Sequence, residues 1–77
     1  MIKTEKKYED LPILFFNDGE EHKKAYLKVL ASGIKCEFMA PSLEEEPILL
    51  VGYTRYRGLK EIEEFLKEET EKRGKNF

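Results

Sequence analysis

The 77-residue chain holds a single cysteine, a single histidine and no tryptophan. Each shortage excludes something. A lone Cys36 cannot form an internal disulfide framework or a zinc cluster built on several thiolates. One imidazole among carboxylates without ligand spacing gives no pattern for a metal site, so no metal and no cofactor is expected. Positive charge is not in excess either: 14 Lys and Arg stand interspersed against 16 Asp and Glu, for a net charge of −2. That leaves no basic footprint for nucleic acid. No apolar run approaches the roughly 20 residues of a bilayer span. The opening Met-Ile-Lys-Thr-Glu-Lys-Lys has no signal-peptide core. The expectation is a soluble, cytoplasmic protein with neither membrane nor nucleic-acid partners.

Apolar residues make up 40% of the chain and charged residues 39%, too apolar for disorder and too charged for a membrane protein. Length sets a further bound. A chain this short hides only about 60% of the surface its unfolded form exposes, so one modest core must suffice. One domain over residues 1–77 is expected, with residues 1–10 a loose polar lead-in. The richness in Glu and Lys hints at a thermophilic source.

The run Leu11-Pro12-Ile13-Leu14-Phe15-Phe16 has the length and continuity of a strand covered on both faces. Asn17-Asp18-Gly19 ends it. Asp18 and Glu21 have capping-box spacing, and a helix should run from there to about Ala31. His22, Ala25, Tyr26, Val29 and Leu30 share one stripe of that helix, and Gly33 stands at the place of a left-handed C-cap. Ile34 to Met39 alternates, with Ile34, Cys36 and Phe38 on one side. Strand, helix and strand in this span make a βαβ unit with parallel strands. The connection over 40–46 carries Pro41 and the acidic triplet Glu44-Glu45-Glu46, and has room for one helical turn at most.

Glu46-Pro47-Ile48-Leu49-Leu50-Val51-Gly52-Tyr53-Thr54-Arg55-Tyr56-Arg57-Gly58 reads as a hairpin, with Pro47 at the first strand position and a glycine in the turn. Leu59, Ile62, Phe65 and Leu66 form the inner stripe of a last helix. Three pairs on it, Glu63–Lys67, Glu68–Lys72 and Glu69–Arg73, have the favourable i,i+4 order, and Gly74 lies just past its end.

Cys36, alternating inward with Ile34 and Phe38, reads as a buried small hydrophobe rather than a redox thiol. His22 reads as an imidazole at the core's edge, kept uncharged by its helix N-terminal place. The acidic triplet reads as a solvated loop. Tyr53, Arg55, Tyr56 and Arg57 read as an edge strand bearing long side chains.

The element order β-α-β followed by β-β-α, with a proline opening the third strand, resembles the thioredoxin fold in its small glutaredoxin form. Glutaredoxins carry Cys-x-x-Cys after the first strand, then commonly a Lys-x-Ala run and a glycine ending the helix. Here His22 takes the second-cysteine place, followed by Lys23, Lys24, Ala25 and, at matching distance, Gly33. The resemblance covers residue 12 to about 70. It implies an α/β, thioredoxin-like (glutaredoxin-like) fold of order β-α-β-β-β-α, a four-stranded mixed sheet with helices packed on it. By the same resemblance Pro47 matches the family's cis-proline and Gly58 its closing glycine.

The departures bear on function. Gly19-Glu20-Glu21-His22 fills the Cys-x-x-Cys place, so the attacking cysteine is a glycine and no thiolate stands there. Asn17 replaces the lysine that relatives often place before that cysteine. Arg57-Gly58-Leu59-Lys60 replaces their Gly-Gly followed by Cys-Asp. Glu20, Glu21 and Glu46 would repel an anionic tripeptide such as glutathione. The resemblance therefore implies a redox-inactive module that binds an unknown protein or small ligand through the former active-site surface, formed by Gly19, Glu20, Glu21, His22, Glu46 and Pro47. The alternative is a thiol-dependent enzyme acting through Cys36 alone. The chain is expected to be a monomer, or a weak homodimer paired through the hairpin's edge strand.

Overall fold

The computed structural model describes residues 11–74, with side chains to residue 71. The expected lead-in over 1–10 lies outside them, and so do the side chains of Lys72 and Arg73 in the two distal ion pairs. The order of elements is β1 (Ile13–Phe15), α1 (Glu20–Ser32), β2 (Glu37–Met39), β3 (Ile48–Val51), β4 (Thr54–Arg57) and α2 (Gly58–Gly74). The four strands form one mixed sheet in the order β2-β1-β3-β4. β1 and β2 are parallel, with Leu14 opposite Phe38; β3 is antiparallel to β1 and β4 to β3. The α/β class and the parallel first pair agree with the sequence reading.

Strand alternation sorts the side chains between two faces. Leu14, Leu49, Ala25, Val29, Ile62, Phe65 and Leu66 make the core, and Phe38, Val51 and Tyr56 pack against it. Both helices therefore cover the same face. The Phe16 and Tyr26 rings stack with centroids 4.7 Å apart, and Phe38 meets each edge-on. Tyr56 and Phe65 join β4 to α2 at 4.9 Å.

The structure departs from the sequence reading at several points. Among the described residues β1 is covered on one face only: Leu14 is fully buried while Ile13 and Phe15 are partly exposed. A continuous apolar run does not reveal which face lacks a cover. Leu30 is 49% exposed rather than on the inner stripe, because α1 buries the narrower arc of His22, Ala25 and Val29. No capping box forms at Asp18. Gly19 is the N-cap and, as a glycine, has no side chain to cap with; the Asn17 side chain accepts the Gly19 N–H at 2.8 Å and holds the turn one residue beyond Asp18.

Glu63 pairs across to Lys28 of α1 at 3.3 Å instead of along its own helix. Gly74, expected beyond α2, is its last residue. The Glu46–Pro47 bond is trans; the cis bond among the described residues is Ala40–Pro41. Pro47 instead enters the sheet directly, its carbonyl accepting the Gly58 N–H at 2.8 Å in line with the β3–β4 ladder.

The glycines behave as expected where geometry demands them. Gly33 caps α1 at φ 82°. In the two-residue hairpin loop only Gly52 has positive φ, 63°, the sign pattern of a type II′ turn.

Candidate functional site

Where β1 gives way to α1, three segments converge: the turn 17–19, the connection 40–46 and the start of α2. Asn17 is the hub. Its amide donates to the carbonyls of Ser42 at 2.9 Å and Glu44 at 3.3 Å, while its Oδ1 holds Gly19. Its backbone N–H donates to His22 Nδ1 at 3.1 Å, and His22 Nε2 lies 2.9 Å from the Glu45 carbonyl oxygen. An N–H donor at Nδ1 and an acceptor at Nε2 together select the neutral ring with its proton on Nε2. His22 is only 3% exposed. It is a satisfied core histidine that ties α1 to the acidic connection.

The carboxylates of this region serve the second helix. Glu21 accepts the Leu59 N–H at 2.8 Å, and Glu61 accepts the Arg57 N–H at 2.9 Å. Negative charge at a helix start offsets both the free N–H groups and the macrodipole. Gly58 lies between them with φ 88°, and a side chain there would reach the Glu21 and Glu46 carboxylates. Arg57 balances the cluster, its Nη1 3.7 Å from Glu44 and 3.9 Å from Glu46. Among the described residues no three His, Cys, Asp or Glu side chains are grouped to hold a metal ion. Glu21→Ala is expected to cost about 1 kcal/mol, as for other lost caps, and Glu21→Gln less because its amide oxygen still accepts. Urea midpoints of the two variants measure the difference.

The six residues expected at the binding surface do come together here, but most face inward. Pro47 and His22 are buried, Gly19, Glu21 and Glu46 are half-buried, and only Glu20 is exposed. The Pro47 and Glu45 carbonyls are already bonded within the chain. Cys36 is not part of the group. It precedes β2, whose Glu37 lies level with Ile13, at the end of the sheet opposite α1's start. Its Sγ donates to the Glu37 carbonyl at 3.2 Å. Burial pushes the thiol above its ordinary value; a backbone hydrogen bond at Leu14 lowers it in part and the Glu37 charge raises it.

Sequence reasoning missed the role of Asn17, though Asn before Asp-Gly is a turn signal in its own right. It also missed a groove of about 530 Å³ beside the same turn, lined by Phe16, Asn17, Asp18, Lys23, Tyr26, Ala40 and Pro41. No described helix is long and apolar enough to cross a membrane. No protein-family model, no curated protein and no solved structure matches this chain.

Proposed function

We propose that the chain is a thioredoxin-like module of the glutaredoxin type that has lost redox chemistry and works by binding. The observation that carries this is the sheet order β2-β1-β3-β4 with a parallel first pair, joined to a helix start where Gly19 and His22 stand in place of thiols. Thiol exchange needs a thiolate at that helix start, and the chain's one thiol, Cys36, lies at the sheet's other end with its ionisation disfavoured.

The ligand or partner protein is placed at the same end of the fold. It approaches from the side of the Phe16–Tyr26 stack, where the groove is open, and touches Gly19, Glu20 and the Glu46 rim. The inner groups, His22, Glu21 and Pro47, shape this end without meeting the ligand.

The thiol decides between this reading and an enzyme acting through Cys36. Alkylation of Cys36 by iodoacetamide at neutral pH is expected to run slower than that of a cysteine in an unfolded peptide, rising with pH beyond the ordinary thiol range. No turnover of a mixed glutathione disulfide is expected. Turnover that disappears in Cys36→Ser would overturn the binding reading.

A further inference from the structure

The face of the sheet opposite the helices carries no element among the described residues. Two rows cross it in register: Glu37, Ile13, Leu50, Arg55 and Met39, Phe15, Ile48, Arg57. The middle of each row is apolar. The first row ends in opposite charges on the two edge strands, three strand spacings or about 14 Å apart. Neither Arg55 nor Glu37 makes an ion pair among the described residues, and the two are too far apart to meet each other within one chain.

Beside the rows lies a groove of about 470 Å³ with Phe15, Ile48 and Leu50 on its floor and Leu43, Arg55 and Arg57 on its walls. Leu43 is 99% exposed. The carbonyls on either side of it are nonetheless both held by Asn17, and the Glu44 N–H by Ser42 Oγ at 3.1 Å. An apolar side chain is thus displayed on a braced turn.

From this pattern we infer that the open sheet face is a docking surface for a second copy of the same chain, packed face to face about a two-fold axis parallel to the strands. That axis reverses each row onto itself. Arg55 of each copy then stands over Glu37 of the other and Ile13 over Leu50, with Phe15 meeting the second row, where Ile48 is already buried within its own chain. A two-fold contact requires a self-complementary patch, and a row running acid, apolar, apolar, base is one. Aligned strands are also the commoner way for sheets to pack. A foreign protein would have no reason to match the opposite charges at the two ends of the row.

Strands of three and four residues make a small face, at or below the roughly 1,200 Å² of total burial that marks weak complexes. The dimer should therefore exchange quickly and need high concentration. Sedimentation equilibrium on the full chain, up to about 1 mM, is expected to show a monomer–dimer equilibrium. Methyl and ring resonances of Ile13, Phe15, Met39 and Leu50 should move with concentration.

The charge arrangement supplies the decisive test. Arg55→Glu and Glu37→Arg should each weaken self-association at least about tenfold, because every like-charge contact occurs twice across the axis. Mixing the two variants should restore dimers, now hetero-dimers, since acidic edges then face basic edges at both ends. Both positions are exposed and leave the core untouched, and circular dichroism confirms that each variant is folded. A chain that stays monomeric to that concentration overturns the inference. So does a dimer that ignores both charge reversals, which is the behaviour of pairing through the β4 edge backbone instead.

Discussion

His22→Ala is expected to lower the stability of the fold by about 3 kcal/mol and the melting temperature by roughly 10–20 °C, without changing the thiol chemistry described above. The ring is buried and uses both nitrogens: one accepts from the Asn17 N–H, the other meets the Glu45 carbonyl. Truncation leaves a donor and an acceptor unpartnered at the edge of the core, each worth about 1–3 kcal/mol when water cannot replace the lost bond. It also leaves a void between α1 and the acidic connection. For a domain this small, with a total stability of about 5 kcal/mol by the usual per-residue scale, that is the larger part.

Two partial replacements separate the contributions. Asparagine places an oxygen near the Nδ1 position and can accept from Asn17. Glutamine reaches the Nε2 position and can donate to Glu45. Each should recover part of the loss in urea unfolding, and the wild-type ring should show the Nε2-protonated tautomer by nitrogen NMR. A His22→Ala protein as stable as wild type would mean that the ring is not a structural tie, and would return it to the list of groups free to meet a ligand.

The same residue shows how far a sequence carries. The stripe His22, Ala25, Val29 was legible because helical period is a local property, and so was Gly33, because a left-handed residue at a helix end is a local demand. The convergence of elements at one end of the sheet also followed from the order of runs and turns. What stayed hidden depends on partners distant in the chain. Asn17 holds Ser42 and Glu44 across 25 and 27 residues, and Glu21 caps a helix 38 residues away. Neither bond leaves a periodic trace. The six residues named from the sequence do lie near one another, while most of their side chains are spent on holding the fold together. Glu21 is the clearest instance: read as a charge facing a ligand, it is the cap of α2.

The largest expected effect falls on Leu49, and its neighbour provides the control. Leu49 is fully buried at the centre of the helix-covered face, opposite Leu14 on one side and Tyr56 on the other. Leu49→Ala is expected to cost about 3–4 kcal/mol, the lost transfer energy plus the cavity left between the sheet and Ile62 and Phe65. Leu50 differs by one position and points the other way, onto the open face, where it is half-buried. Leu50→Ala should cost only about 1 kcal/mol in the monomer, because little apolar area leaves contact and no closed cavity forms. Urea unfolding at low micromolar protein measures both. At high concentration the order inverts: Leu50→Ala should weaken self-association through the row it shares with Ile13, Glu37 and Arg55, whereas a Leu49 variant kept folded at low temperature should associate as wild type does. Equal stability losses at the two positions would mean that both faces are covered within one chain. The open face, and the dimer inferred from it, would then fall together.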